Sequence, residues 1–295
     1  MEITVLEVAP RDGLQNQPEL VSTEDKITLI ERSIAAGLRR IEAVAFVSPK
    51  LVPQMADADA VMAGVPRDPA VSYAGLVFNE RGLDRALAAG VDEINVVVVA
   101  TDTFSLRNQG CTTDEGVRRW LALARRASEA GLLRTVTIAA AFGCPFEGEV
   151  PEAAVLELVR RVAEAGPQEI ALADTIGVGT PDRVRTLVAA TSAIAPGAAV
   201  RCHFHNTRNT GYANAVAAME SGARVLDAST GGIGGCPFAP AATGNIATED
   251  LLYLLHRMNV RTGVDLEMVS ESGRWIGEVL GAPVPALLGR AGPFP

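Results

Sequence analysis

Two histidines one residue apart, His203 and His205, are the side chains in this sequence whose type and spacing point most directly to chemistry. Alternate side chains on a strand point the same way, so two imidazoles at this spacing can chelate one ion. The bland alternative is a pair of hydrogen-bonded structural histidines. Asp12 offers a carboxylate to complete a mixed nitrogen and oxygen donor set. Such a set, with open positions for water or substrate, suits Mn, Mg, Co or Zn in a five- or six-coordinate catalytic site. No cluster of four soft ligands suggests a closed structural zinc site.

Arg11 sits beside Asp12 and can point into the same mouth, with an ordinary surface salt bridge as the alternative. Glu42 is flanked by Ile41 and Ala43 in an apolar run, where an unpaired charge would be costly. It is therefore expected to face inward and meet a cation such as Arg11. Asp174 in ADTIGVGTP could serve the site or merely cap a turn. Cys236, near the tip of GGIGGCPF, could be an acid, base or nucleophile, although a lone cysteine is more often an inert small hydrophobe. That glycine-rich stretch lacks the GxxxxGK[ST] pattern of a phosphate cradle and reads as a mobile loop able to close over a site.

The elements that must position these residues follow a repeated rhythm. Apolar runs predict strands over 3 to 8, 40 to 46, 70 to 77, 92 to 99, 133 to 141, 168 to 173, 199 to 204 and 223 to 228. Helix-length segments with three- and four-residue apolar spacing lie between them, among them 113 to 130 and 180 to 194. Glycines 37, 90, 131, 166 and 222 each follow such a helix and precede a strand, where a left-handed residue is often required. Helix starts are marked by Ser22 or Thr23, by Thr113, by Pro151 and by Thr180 with Pro181.

Strands alternating with helices imply a parallel sheet, and eight of them favour a closed (β/α)8 TIM barrel over an open doubly wound sheet. Residues 1 to 260 are expected to form this catalytic barrel, with 247 to 259 as its final helix. Residues 261 to 295 read as a C-terminal helical extension with a helix over 264 to 281 and an irregular Pro- and Gly-rich end. In such a barrel the active site lies at the carboxyl ends of the strands. That places Arg11, Asp12, Asp174, His203 and His205 at one mouth, where strand one adjoins strand eight and strand eight adjoins strand seven.

Composition narrows the function further. The chain has 295 residues, 48% of them apolar and only 4% aromatic, which suits a core of Ala, Val, Leu and Ile. A net charge of −9 argues against a nucleic-acid partner, which would favour a basic face. No apolar stretch approaches the roughly 20 residues of a membrane span, and a cytoplasmic location is expected. Four widely spaced cysteines read as free thiols. By analogy with other barrel enzymes, association into a dimer or larger homo-oligomer is expected.

Six ordered segments carry a more specific signal: VAPRDGLQNQ, IEAVAFVSPKLVPQM, AFGCPFEG, ADTIGVGTP, HFHNT and GGIGGCPFAPAATGNIATEDL. Together they resemble the 3-hydroxy-3-methylglutaryl-CoA lyases, barrel metallolyases with an RDG motif after strand one. The likeness runs from residue 3 to about residue 280. It implies that Asp12, His203, His205 and Asn245 bind a divalent metal, Mg2+ or Mn2+. It also implies that Arg11 stabilises an enolate oxygen, and that Glu42, Asp174 and Cys236 stand at the family's catalytic positions.

The implied reaction is a retro-Claisen cleavage of an acyl-CoA thioester to acetyl-CoA and acetoacetate, a step of leucine degradation. The residue types fit its needs: a Lewis acid for the tertiary hydroxyl, a fixed guanidinium for charge on the thioester oxygen, and an acid for the enolate carbon. For that acid, Cys236, a metal-bound water and a histidine all stay open. Some positions depart from the usual pattern: EAVAF replaces ETTSF, Ala171 replaces a serine, and Asn206 replaces the aspartate after the second histidine. These suggest a more apolar pocket and an altered acyl group, such as a bulkier 3-alkyl-3-hydroxyglutaryl-CoA or a citramalyl-type thioester. The alternatives are condensing synthases of the same barrel, which generally carry a longer C-terminal region, and, least supported, a non-catalytic scaffold.

Overall fold

A computed structural model describes residues 1–235, 244–292 and 294. Its eight strands are β1 (Thr4–Glu7), β2 (Arg40–Phe46), β3 (Ser72–Val77), β4 (Glu93–Val99), β5 (Leu133–Ala139), β6 (Glu169–Asp174), β7 (Ala199–Phe204) and β8 (Val225–Ala228). They pair in sequence order, all parallel, and β8 returns to β1 with Thr4 opposite Val225. The predicted (β/α)8 barrel is therefore the observed fold. Each predicted strand is present to within two residues at either end. Runs such as INVVVV of β4 are buried on both faces, as parallel strands between a filled interior and a helical shell must be.

Helix boundaries follow local chemistry. Ser22 caps α1 (Thr23–Ala35) by accepting from the Asp25 amide. At α5 (Thr113–Glu129) the cap is Thr112, one residue before the expected Thr113, because Glu115 reaches back to complete a capping box. Glycines 37, 90, 131, 166 and 222 all adopt positive φ, between 60° and 110°, which accounts for the repeated glycine after each helix.

The remaining barrel helices, α2 (Ala58–Gly64), α3 (Glu80–Ala89), α4 (Asp102–Gln109), α6 (Glu152–Ala163), α7 (Pro181–Ile194), α8 (Gly211–Glu220) and α9 (Thr248–Arg257), alternate with the strands. Beyond them, α10 (Leu266–Leu280) packs Ile276 and Trp275 into a cluster with Ala9, Leu14 and Leu29, next to the loop after β1. The end is not wholly irregular, since α11 (Leu288–Ala291) forms where the Leu287 and Leu288 amides donate to the Asp250 carboxylate. No helix among the described residues is long and apolar enough to cross a membrane.

Inside the barrel, the first residues of β2, β4 and β6 form a charged layer. Arg40 makes paired hydrogen bonds to Glu93 at 2.7 and 2.9 Å and to Glu169 at 2.7 and 2.9 Å. Contributions from alternate strands are the usual layering of such an interior. Ionic fillings are not, and here the layer lies at the amino ends of the strands, opposite the mouth.

Candidate active site

Asp12 and Arg11 are carried on a single π-helical turn, Ala9–Gly13, that follows β1 and tips both side chains over the strand ends. His203 lies on β7 and His205 just past its end. A β-bridge between His205 and Asn245 brings the asparagine, distant in sequence, against the same strand end. Asn245 Nδ2 donates to Asp12 Oδ2 at 2.9 Å and to the Ile233 carbonyl at 3.1 Å. The four expected ligand residues are thus brought together.

Among the described residues, Asp12, His203 and His205 form a possible metal site, with one ligand atom from each lying within 4.8 Å of the others. Their donor chemistry fits a divalent ion in a catalytic setting: one carboxylate and two imidazoles, with the mouth open beside them. Two further features agree. His205 is buried, yet its Nδ1 has no hydrogen-bond partner. His203 Nδ1 lies 3.2 Å from Asp227 Oδ2, so its Nε2 is the nitrogen turned toward Asp12, 4.0 Å away. A carboxylate behind an imidazole is the common device for fixing the ring and tautomer of a metal-binding histidine.

Charge shifts follow from this packing. Burial pushes the His205 pKa down, and the neighbouring His203 adds to the effect, giving a value of about 3. Burial alone would raise Asp12, but Arg11 and then the two histidines outweigh it and hold it at about 2. For His203, burial works against the charged ring, yet the Asp227 contact and the charge of Asp12 prevail, and its pKa is raised. The cluster therefore presents a ready carboxylate, one neutral imidazole and one imidazole that competes for a proton.

Arg11 Nε donates to Glu42 Oε2 at 2.7 Å, and Nη2 pairs with the same oxygen. Its Nη1 donates to Asp12 Oδ1 at 2.7 Å. The expectation that Glu42 faces inward and meets Arg11 is borne out, with Glu42 only 1% exposed. Asn95 on β4 completes the clamp, its Nδ2 donating to Glu42 Oε1 at 2.9 Å. Burial disfavours the Arg11 charge, but Glu42 and Asp12 more than restore it.

Asp174 is placed differently. Its carboxylate accepts from the Val178 and Gly179 amides, both at 2.9 Å, and so braces the loop after β6. Gly177 in that loop has φ of 65° and approaches the His205 carbonyl so closely that a Cβ would lie 3.0 Å from it. Asp174 thus lies fully buried under the mouth and supports its rim. Cys236 lies outside the described residues.

The cavity above these groups is open to solvent and has a polar and an apolar lining. Arg11, Asp12, His203, His205, Asn95 and Thr137 line the first, and Leu76, Val97, Val99, Phe104 and Ala173 line much of the second. None of the positions that depart from the lyase pattern lines it. Ala45 is packed into the cluster with Leu14 and Leu76, Ala43 and Val44 into the main core, and Ala171 is fully buried. Asn206 accepts from the Gly211 amide at the start of α8. The expectation that these residues make the pocket more apolar is therefore not met, because they face neighbouring elements instead of the mouth.

Asp227 on β8 is a site residue that sequence reading passed over. A carboxylate in the apolar run ARVLDA, at the end of a barrel strand, was the available signal. Asn95 and Thr137 carried a weaker one, as short polar residues inside strands.

A closed parallel barrel that presents a carboxylate, two imidazoles and a clamped guanidinium at its carboxyl mouth has the build of a TIM-barrel enzyme. Residues 2–276 match the HMGL-like family model, and the chain belongs to that family. It is 41% identical to hydroxymethylglutaryl-CoA lyase YngG of Bacillus subtilis over 97% of this chain and 95% of that one. It is 42% identical to (R)-citramalyl-CoA lyase of Chloroflexus aurantiacus, over 99% of this chain and 95% of the other. An HMG-CoA lyase structure from Acinetobacter baumannii, in complex with coenzyme A and 3-methylmalate, superposes with a TM-score of 0.94 at 39% identity, covering 99% of this chain and 95% of that one. The protein is a carbon–carbon lyase.

Proposed function

We propose that the protein cleaves 3-hydroxy-3-methylglutaryl-CoA, or a close 3-hydroxy-3-alkylglutaryl-CoA, to acetyl-CoA and a 3-oxo acid, acetoacetate for the methyl substrate. The observation that carries this reading is the cluster of Asp12, His203 and His205 beside a guanidinium fixed by Glu42. Asp12, His203, His205 and Asn245 would hold Mg2+ or Mn2+. Bound there, the ion would supply Lewis acidity to a tertiary hydroxyl and orient the adjoining carboxylate.

The residues of the chain supply the rest. A base at the mouth takes the proton of the tertiary hydroxyl, whose oxygen becomes the ketone oxygen of the 3-oxo acid. As the carbon–carbon bond breaks, its electron pair moves toward the thioester carbonyl, and negative charge develops on the thioester oxygen. Arg11 is held by two carboxylates and cannot swing away, so its charge is already in place when that oxygen becomes an anion. Val97, Val99 and Phe104 line the cavity with hydrocarbon, which limits water near a carbanion-like intermediate. Asp174 keeps the rim beside His205 in shape by accepting two backbone amides. In this reading Cys236 delivers the proton that completes acetyl-CoA.

The similarity to a citramalyl-CoA lyase motivates a second reading, in which the same machinery acts on a citramalyl thioester. One experiment tests both. Purified protein is assayed with Mg2+ or Mn2+ on each thioester, following acetyl-CoA release. Preference for the methylglutaryl thioester or its 3-ethyl homologue, assayed alongside, supports the first reading, preference for citramalyl-CoA replaces it with the second, and no acetyl-CoA from any of the three defeats both.

A further inference from the structure

Arg201 is the most deeply buried cation in the barrel, 1% exposed on β7, two residues before His203. Its Nε lies 3.5 Å from Asp227 Oδ1 and 3.4 Å from Glu169 Oε1, so one guanidinium is shared by two carboxylates. These contacts are ion pairs and lie off the line for hydrogen bonds, since neither Nε nor Asp227 Oδ1 has a hydrogen-bond partner. Its Nη2 does hydrogen-bond, donating to Thr137 Oγ1 on β5 at 2.9 Å.

These contacts join two chains of side chains. On one side, Asp227 leads to the Nδ1 of His203 at 3.2 Å. On the other, Thr137 Oγ1 donates to Asn95 Oδ1 at 2.9 Å, and Asn95 Nδ2 donates to Glu42, which grips Arg11. Arg11 then meets Asp12, which faces His203, and the belt closes on itself around the barrel.

We propose that Arg201 is a positioning residue that sets both working halves of the site from beneath: His203 through Asp227, and Arg11 through Thr137, Asn95 and Glu42. Arg201 does not line the cavity and touches no substrate. It acts because one rigid guanidinium hydrogen-bonds Thr137 through Nη2 while its charge attracts Asp227 and Glu169 at Nε, so the two sides are tied to a single group. Lysine offers a single point of charge and cannot hold both. This inference rests on the lyase reading for its rate measurements, but its metal measurements stand without it.

The test compares Asp227→Asn, Arg201→Met, Arg201→Lys, Thr137→Val and Thr137→Ser, each checked for folding by circular dichroism and thermal unfolding. Mn2+ binding to folded protein is measured by calorimetry, and kcat and KM on the thioester that wild type turns over. Asp227→Asn should weaken Mn2+ by about 10- to 100-fold, the effect usual for loss of the carboxylate behind a ligating histidine. Arg201→Met should weaken Mn2+ comparably and also lower kcat, with Arg201→Lys intermediate. Thr137→Val cuts the link toward Arg11, and because Thr137 also lines the cavity, Thr137→Ser, which keeps the hydroxyl, is its control and should retain wild-type kcat. Thr137→Val should leave Mn2+ affinity at the wild-type value and lower kcat by about tenfold or more, as expected for a small misplacement of a reacting group.

A merely structural Arg201 would lower the melting temperature while leaving Mn2+ affinity per folded molecule and kcat unchanged, and that result overturns the proposal. Wild-type kcat in Thr137→Val overturns the Arg11 half. Should wild type bind Mn2+ but cleave no thioester, the assigned reaction fails, while Asp227→Asn and Arg201→Met still decide the metal half. Should wild type bind no Mn2+, the proposal falls with the site.

Discussion

Replacing Arg11 by methionine perturbs two things at once, and the structure predicts how to separate them. The first is catalytic. A fixed donor aimed at a developing oxyanion is commonly worth about 10²- to 10³-fold in kcat, or roughly 3 to 4 kcal/mol. The second is structural. Glu42 is 1% exposed and would keep only the Asn95 hydrogen bond, leaving a buried charge without its cation. Breaking a buried pair from one side costs about 3 to 5 kcal/mol. Unfolding entropy of about 2.1 cal/mol/K per residue converts this to a drop in melting temperature of roughly 5 to 8 °C.

The double variant Arg11→Met with Glu42→Gln removes the uncompensated charge while preserving shape and a hydrogen-bond acceptor for Asn95. It should recover most of the lost stability and none of the lost rate. Calorimetric unfolding and acetyl-CoA release, measured on the same preparations, check both halves. If Arg11→Met keeps wild-type kcat, the enolate role is wrong. If the double variant stays as unstable as the single, the account of Glu42 as a clamp for Arg11 is wrong.

Metal uptake should depend on pH through His203, because Asp12 at about 2 and His205 at about 3 are already deprotonated in the working range. His203 is raised above 6.5, so proton competition begins above that value, and Mn2+ titrations should show weaker binding at pH 6 than at pH 8.5 with protons released on binding. Chelation by EDTA should abolish cleavage, and Mn2+ at about 100 times its Kd should stabilise the fold by about 2.7 kcal/mol, visible as a higher melting temperature. Glu249, buried at the start of α9 with its carboxylate on the Gly231 amide, is raised by burial to about 8. A raised folded-state value gives stability that is full below 4.5 and lost as pH climbs through 8, at about 1.4 kcal/mol per unit. Glu249→Gln should therefore gain on wild type in melting temperature between pH 5 and pH 9; a constant difference across that range would refute the assignment.

The barrel was legible because its signals are local: apolar runs of strand length, three- and four-residue spacing between them, and a glycine wherever a helix must turn left-handed. His203 and His205 were legible for the same reason, since spacing on one strand fixes a shared direction. Asn245 had no such signal. It reaches the site only through a bridge to His205 across a loop, and only the likeness to known lyases pointed to it. The departures at residues 43 to 45, 171 and 206 show the reverse failure. Lying next to site residues in sequence suggested that they lined the mouth, whereas the bulge between Glu42 and Val44 goes with the packing of residues 43 to 45 into the core, Ala171 is fully buried below the cavity, and Asn206 holds the start of α8. Asp227, Asn95 and Thr137 were hidden because a polar residue within an apolar strand does not reveal its partner, and the partners here lie on other strands around the barrel.

The charge inventory of the interior connects the belt to the metal. Arg11, Arg40 and Arg201 face Asp12, Glu42, Glu93, Glu169 and Asp227, so the ion pairs leave two more carboxylates than guanidiniums. Burial raises Glu93 despite the two nitrogens of Arg40 that bind it, so the excess of negative charge is smaller than the count of carboxylates. A low-dielectric interior does not tolerate uncompensated negative charge without a response. The response is visible at His203, whose affinity for a proton rises although burial alone would lower it. A proton on His203 offsets part of that excess, and a divalent ion at Asp12, His203 and His205 would offset more while displacing that proton. The acidic belt would thus do more than orient the proposed ligands: it would favour a divalent cation at the mouth of the barrel.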